Sequence, residues 1–259
     1  MVRQQWARPE WHATIDSTNL AVMSDPQPGR VVVAEHQSAG LGRRGRTWTA
    51  PPGRSLAVSV AVTTPAPDLL GWVPLLAGVA VQRALAMSEP ALTAELKWPN
   101  DVLIPPGPGM RPGKVCGVLA AATPESVVIG VGLNIDQTAD ELPVPTATSW
   151  ALAGGQPRLP DGLRAAWLTS YLEQLSVLLH DLGQDPEKSR STYLRVCSTI
   201  GRNVSIELPG GAVEHGMATD VDARGALVLT NDGHWSVHHA GDVVHLRGTG
   251  AYGHTRQHG

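Results

Sequence analysis

The sequence contains no phenylalanine, and aromatic residues of all kinds make up only 4% of it, most of them tryptophan. This bias carries no functional reading. Cysteine is scarce too: Cys116 and Cys197 are the only two, and they lack the C-x-x-C spacing of a thiol metal site or redox pair. Reduced thiols are expected, and with them a reducing compartment. No apolar run approaches the ~18 residues of a membrane span, and the opening Met1–Trp6 lacks the apolar core of a secretory signal, so the expected location is the cytoplasm with no membrane partner. An excess of positive charge is also missing. Twenty Lys and Arg against 23 Asp and Glu leave a net charge of −3, which argues against a general nucleic-acid binder. No self-similar period of 20–50 residues is found, so a solenoid is excluded.

What remains is a globular composition, 42% hydrophobic and 17% charged, over 259 residues. That length exceeds the commonest single-domain size of roughly 100–150 residues and favours two domains. Against the acidic balance, one stretch stands out: Gly40-Leu41-Gly42-Arg43-Arg44-Gly45-Arg46-Thr47-Trp48. Its glycines permit close backbone approach, its arginines carry fixed forks of donors for phosphate or carboxylate, and Trp48 adds a flat ring suited to a base. Alone, the run also reads as a solvated, arginine-rich turn.

Around this loop the chain alternates turns and short elements. Asp16-Ser17-Thr18-Asn19 offers N-cap side chains to a short helix, and Arg30–Glu35 is a β-branched strand running into Gln37 and the arginine loop. Ser55–Val62 reads as a strand, and Leu69–Met87 as a helix burying one face. Three strand-like pieces follow at Ala94–Trp98, Val115–Ala122 and Ser126–Leu133, the last two forming a hairpin; Ile104–Gly113 between the first two is a Pro/Gly loop. Helices are expected after Pro160 and from Pro186 to Val196. Beyond Gly201, five short strands at regular spacing make a small barrel, and the last dozen residues read as a mobile tail. The expected division is 1–199, 200–247 and a disordered 248–259.

Three polar clusters sit at strand ends. Lys97-Trp98-Pro99-Asn100-Asp101 groups an ammonium, an amide and a carboxylate; Asp101 suits Mg²⁺, which takes one or two carboxylates plus phosphate oxygens, or else closes a salt bridge with Lys97. In Gly113-Lys114-Val115-Cys116-Gly117, Lys114 presents a point charge to an oxyanion or lies solvated at an edge, and Gly117 marks close approach of a ligand or backbone. Ile129-Gly130-Val131-Gly132-Leu133-Asn134 leaves a flat wall capped by an amide, and it is not the dinucleotide fingerprint because no third glycine opens a helix. His234, His238 and His239 share a barrel strand, where alternation of faces favours solvation over a metal site.

Taken together and in this order, Ser17-Thr18-Asn19, Gln37 with Gly-x-Gly-Arg-x-Gly-Arg-x-Trp, Lys-Trp-Pro-Asn-Asp, Lys-x-x-Gly and Gly-x-Gly-x-Asn resemble the biotin protein ligases over nearly the whole chain. The resemblance implies an α+β fold: a mixed sheet with flanking helices, the class II synthetase-like biotin-lipoate ligase core, and a C-terminal SH3-like barrel. It implies that biotin and MgATP give biotinyl-5′-adenylate and pyrophosphate, after which a lysine of a carboxylase's biotin carboxyl carrier domain attacks. It also implies roles. Ser17, Thr18 and Gln37 would hold the ureido head, with Gly40, Leu41, Gly117, Gly130 and Gly132 shaping the rest of the biotin slot. Lys114, Arg43 and Arg46 would be catalytic, stabilising charge at the carboxyl and phosphates, with Arg44 supporting. Trp48 would stack on adenine between Asn100 and Asn134, and Asp101 would serve the metal.

Leu41 departs from the arginine usual in the family, and Ala121-Ala122 stand where a glutamate is common. Too few residues precede Ser17 for a winged helix, so no operator DNA is expected, and the chain is expected to be a monomer or weak dimer. The alternatives are a lipoate or octanoate ligase, and a non-catalytic biotin or nucleotide module. With three glycines and three mutually repelling charges, the arginine loop is expected to be mobile when empty and ordered by ligand.

Overall fold

The computed structural model describes residues 3–105, 112–154, 158–160 and 162–246. The expected tail, and most of the Pro/Gly loop before Gly113, lie outside these described residues. The chain begins with β1 (Glu10–His12), α1 (Thr18–Met23) and β2 (Val31–Ala34). The arginine loop carries a miniature hairpin of β3 (Gly40–Leu41) and β4 (Thr47–Trp48). After β5 (Ser55–Thr63) and α2 (Trp72–Ser88) come β6 (Glu95–Lys97), β7 (Asp101–Ile104), β8 (Gly113–Ala122) and β9 (Ser126–Asn134). Three helices follow, α3 (Trp150–Ala153), α4 (Leu163–Gln184) and α5 (Pro186–Leu194). The last elements are β10 (Asn203–Glu207), β11 (Val213–Val221), β12 (Leu227–Asn231), β13 (His234–His238) and β14 (Asp242–His245).

These strands form a mixed seven-stranded sheet of order β1-β2-β5-β9-β8-β7-β6, in which β1 and β2 run parallel and the other pairs antiparallel, and a five-stranded antiparallel sheet of order β13-β12-β11-β10-β14. This is the expected α+β arrangement, and the expected hairpin is β8–β9, closed by Thr123 N donating to the Ser126 carbonyl. Helices α2 and α4 pack together on one face of the large sheet. The opposite face is left to α1 and the arginine loop, and that is where a cleft opens.

Three readings change. First, α2 does not bury one face only: Leu75, Leu76, Val79, Val81 and Leu85 point all round the axis and all are buried. The helix is packed on by α4, α5 and strands β6, β7 and β8, so its buried positions are not confined to one stripe. Second, β1 and β7 are strands that the sequence pattern does not announce, being three and four residues long. They hold their conformation through their neighbours, by parallel pairing to β2 and by a bulged ladder to β8. Third, Lys97 and Asp101 face each other across the β6–β7 hairpin without an ion pair between them; the carboxylate is taken by Lys114 instead.

One hydrophobic cluster runs from Val31 and Val33 through α2 and α4 to Val204, Leu227 and Val243, so the two sheets share a core. Two indoles fasten the join. Trp72 Nε1 donates to the Ala223 carbonyl at 2.9 Å and Trp98 Nε1 to the Gly225 carbonyl at 3.1 Å. Between them, Gly71 and Gly225 meet backbone to backbone; a Cβ on Gly71 would run into the Arg224 carbonyl oxygen, and Gly225 sits at φ +82°. Arg190 adds an ion pair to Asp220 and a 2.8 Å bond to the Val221 carbonyl. The connecting segment also edges the large sheet: Leu96 N donates to Val196 O, and Ser198 N to Leu96 O, each at 2.7 Å. Because the obstacle at Gly71 is backbone and not a flexible tip, Gly71→Ala should destabilise the whole protein by about 1–3 kcal/mol, as overpacking typically does. Urea unfolding followed by circular dichroism measures this, and an unchanged midpoint would mean that the contact yields at no cost.

Candidate active site

The floor of the cleft is made by glycines on β8 and β9. Gly117 and Gly132 are direct cross-strand partners, and Gly130 faces Leu119 two positions on. A Cβ on Gly132 would stand 2.5 Å from Cε2 of Trp48, and one on Gly130 would collide with the side-chain amide of Asn19. The indole and the amide therefore lie directly on the backbone of the sheet, which only glycine allows. Trp48 reaches this position because β3 and β4 pair Gly40 with Trp48; Gly40 has no room for a Cβ beneath the Trp48 carbonyl. The indole thus covers Gly117 and Gly132, two of the glycines expected to wall the acid slot, and its buried Nε1 has no partner among the described residues.

At one end of the cleft lies a buried polar cluster. Thr18 donates to Gln37 Oε1 from both its backbone N and its hydroxyl, at 2.8 and 3.0 Å. Ser59 Oγ lies 2.7 Å from both Thr18 Oγ1 and Asn19 Oδ1. Ser17 caps α1, its Oγ accepting from Leu20 N at 3.4 Å. Ser17, Thr18, Asn19 and Ser59 are all nearly inaccessible. Asn19 and Ser59 are not among the expected site residues. Ser59 carried a signal, a hydroxyl in the middle of an otherwise apolar strand, where burial demands a partner.

At the other end the cations gather. Lys114 Nζ lies 2.5 Å from Asp101 Oδ1, against Gly117, and 5.8 Å from the centre of the Trp48 ring. Lys97 is pushed below its ordinary pKa by burial; Asp101 works against that shift and Lys114 with it. Burial likewise lowers Arg43, offset by Asp242 and Asp101. Arg43 Nη1 donates to Asn100 Oδ1 at 3.1 Å and to the Gly241 carbonyl at 3.4 Å, while Asn100 Nδ2 holds the Val118 carbonyl at 3.1 Å. Asn134 is similarly engaged, donating to Thr148 O at 3.0 Å and accepting from Gln137 Nε2 at 2.8 Å. Both amides thus brace the walls.

The arginine loop is not short of partners. Arg44, at φ 55°, ties to Glu207 Oε1 at 3.0 Å and Asp242 Oδ2 at 3.3 Å, and Arg46 Nη2 reaches Asp242 Oδ1 at 3.0 Å. The repulsion expected to loosen the loop is answered by two carboxylates of the second sheet, which the sequence alone had not linked to it. The resulting cleft, about 240 Å³, is lined by the polar cluster, Trp48, Arg43, Arg46, Lys114 and the glycine floor, with Pro143 and Val144 on the far wall. Of the expected site residues, Ser17, Thr18, Gln37, Leu41, Arg43, Arg46, Trp48, Asn100, Lys114, Gly117, Gly130, Gly132 and Asn134 line it together; Leu41 is among the exposed large side chains. Arg44 turns away toward the second sheet, and Asp101 stands behind Lys114. Among the described residues no cluster of three or more His, Cys, Asp or Glu could hold a metal unaided. Asp101 offers one carboxylate, enough only for an ion that brings phosphate oxygens with it.

Residues 11–136 match the model of the Biotin/lipoate A/B protein ligase family, and residues 199–246 that of the Biotin protein ligase C terminal domain. The biotin--[acetyl-CoA-carboxylase] ligase of Mycobacterium tuberculosis is 37% identical over 251 residues, covering 93% of this chain and 90% of that protein. The bifunctional ligase/repressor BirA of Escherichia coli is 29% identical over 228 residues, 85% of this chain and 68% of its own length. Among solved structures, the biotin protein ligase from Aquifex aeolicus in complex with biotin and ATP shares the fold, with a TM-score of 0.78 at 23% identity over 93% of this chain and 100% of that one.

The Lys97–Asp101 turn is itself held from the second sheet. Trp98 N donates to Thr199 Oγ1 at 3.0 Å, and Thr199 Oγ1 shares a 3.0 Å hydrogen bond with His245 Nε2. Burial first, then Lys97 and Arg202, lower His245 to a pKa of about 4 from its ordinary 6.5. The unfolded chain binds this proton and the folded one does not, so stability rises with pH across that window and is lost as pH falls from about 6.5 toward 4. Thermal melts should show a shallower decline over this range for His245→Gln than for the wild type. Parallel curves would remove His245 from the acid sensitivity.

Proposed function

This chain belongs to the biotin protein ligase family, and on that premise we propose that its cleft activates biotin with MgATP and passes it to a lysine of a carboxylase's biotin carboxyl carrier domain. The observation that carries the reading is the order of chemistry along one cleft. Buried hydroxyls and amides stand at one end, a glycine floor on which the Trp48 indole lies is in the middle, and fixed cations gather at the other end. Such a slot suits an acid with a polar, thin ring system and a flexible tail ending in a carboxylate. Ser17, Thr18 and Gln37, to which we add Asn19 and Ser59, take the ureido head; Gly117, Gly130, Gly132, Gly40 and Leu41 shape the slot, and Trp48 borders it. Asn100, Asn134 and the indole form the nucleotide side.

In the first step a carboxylate oxygen of biotin bonds to the α-phosphorus of ATP as the bond to the bridging oxygen breaks, and pyrophosphate departs. No side chain need act as nucleophile. Lys114 stabilises charge where the carboxylate meets the phosphorus, and Arg43 and Arg46 hold the phosphates with donors that the protein leaves unused, an arrangement that acts through positioning and fixed charge. Mg²⁺ would supply charge neutralisation here, and Asp101 is the residue that would help to hold it. In the second step the neutral amine of the acceptor lysine attacks the carbonyl carbon of the mixed anhydride and AMP leaves.

As parts of the same reading, residues 1–199 carry this chemistry and 200–247 form an SH3-like unit bracing it. The protein works in the cytoplasm, where buried thiols such as Cys116 and Cys197 stay reduced. It acts as a monomer or weak dimer, and its net charge of −3 disfavours DNA. No helix among the described residues is long and apolar enough to cross a membrane.

Incubation with biotin, MgATP and a carrier domain, followed by mass spectrometry of the acceptor lysine, tests the whole reading. Pyrophosphate exchange stimulated by lipoate or octanoate and not by biotin would replace it with the related ligase chemistry; binding without exchange would leave a mere biotin or nucleotide module. Lys114→Ala should keep biotin binding measurable and cut adenylate formation by roughly 10²-fold or more. An unaltered adenylation rate would take Lys114 out of the mechanism. Gly132→Ala, whose Cβ must push the Trp48 indole off the floor, should weaken biotin binding by about tenfold or more. Equilibrium dialysis that finds undiminished affinity would mean that the slot lies elsewhere.

A further inference from the structure

The arginine loop divides its guanidinium groups between two tasks. Arg43 and Arg46 line the cleft, and among the described residues each keeps donors without a protein partner: Arg43 bonds through Nη1, Arg46 through Nε and Nη2. Arg44 does not line the cleft. Its Nη1 goes to Asp242, and its Nη2 to Glu207 and the Leu208 carbonyl, all on the second sheet or the turn beside it. Asp242 is the link between the tasks, because its two oxygens are shared out, Oδ2 to Arg44 and Oδ1 to Arg46. The carbonyl just before it, Gly241 O, receives Arg43.

We propose that Asp242, at the start of β14, is a positioning residue for ATP: it locks Arg44 as an anchor and, through its other oxygen, sets Arg46 beside Arg43 with their spare donors aimed at the phosphates. This rests on the reading of the cleft as an adenylating site and deepens it, for it assigns the second sheet a part in nucleotide binding. Two effects oppose each other at Asp242. Its negative charge repels an arriving triphosphate through space, and its hydrogen bonds hold cations that would otherwise turn apart. The carboxylate is partly exposed, at 29%, so solvent screens the first effect, whereas the geometric one does not depend on distance through solvent. Positioning dominates. Nothing in the arrangement touches Ser17, Thr18 or Gln37, so the biotin end stays indifferent to Asp242.

The test is a KM-against-kcat split by biotin-dependent pyrophosphate exchange, with biotin affinity measured separately by equilibrium dialysis. Asp242→Asn, nearly isosteric, should raise KM for ATP by about tenfold with kcat within a factor of two or so and biotin affinity unchanged, and Asp242→Glu should recover part of the loss. In a double-mutant cycle, Arg44→Gln should add little once Asp242 is already Asn, since both substitutions break one unit. Unchanged KM for ATP, additive losses in the cycle, or equal loss of biotin affinity would overturn the proposal. Tighter ATP binding would do so as well, because Asp242 would then be a competitor of the phosphates. A wild type that exchanges no pyrophosphate with biotin would instead overturn the adenylating site itself.

Discussion

Gly117, Gly130 and Gly132 strip the Cβ layer from two neighbouring strands, and the rest of the site depends on how closely other groups can then lie against the sheet. Trp48 and the Asn19 amide rest on backbone that any side chain would cover. A sheet normally presents a side chain on each face at every second residue; removing three of them converts part of a solvent-facing surface into a trough. Interior glycines weaken a ladder, and here the loss is offset by β5, which pairs with β9 over its whole length and buries nearly every residue it contributes. On the other side of the sheet, α2 packs on β8, and α4 packs on α2.

Electrostatics builds the other end of the cleft by a different logic. Arg43, Arg44, Arg46, Lys97 and Lys114 are brought together with Asp101, Asp242 and Glu207, so that three carboxylates offset part of the charge of five cations. A pile of cations without those carboxylates would repel itself and draw in counterions; a fully paired one would have nothing left for a ligand. The arrangement is intermediate. Each pairing uses some donors and leaves others, a division that guanidinium groups permit and ammonium groups permit less well. Burial adds to this, since both Lys97 and Arg43 sit where the charged form is disfavoured and an arriving anion relieves the penalty.

Much of this was legible before any coordinates, and the reasons are specific. β2, β5 and β9 are valine-rich runs, the five strands of the second sheet are short segments spaced by turns, and the bounds of all of them in the structure lie within a few residues of the expected ones. The glycine floor and the cations were visible as short motifs. What escaped was non-local. β1 and β7 exist because of their neighbours. Asn19 and Ser59 are site residues because three separate segments converge on them. Asp242 is one acid in an ordinary strand, and nothing in its own surroundings in sequence says that residues almost two hundred positions away need its charge. The carboxylates paired with the arginine loop, Glu207 and Asp242, are likewise remote from it in sequence.

The two indole bonds at the join bear on how freely the parts of such a protein can be exchanged. Trp72 and Trp98 each give their only polar hydrogen to the turn at Ala223–Gly225, and Trp98 stands inside the Lys97–Asp101 turn of the site. A small β-barrel elsewhere in the protein world is often an interchangeable attachment, added or lost at a linker. Here its removal would strand two buried N–H donors in an apolar core and leave the Thr199 hydroxyl without its histidine. The second sheet is therefore inherited with the first. Any change of partner it undergoes has to come through its outer strands, while the turn facing the site stays as it is.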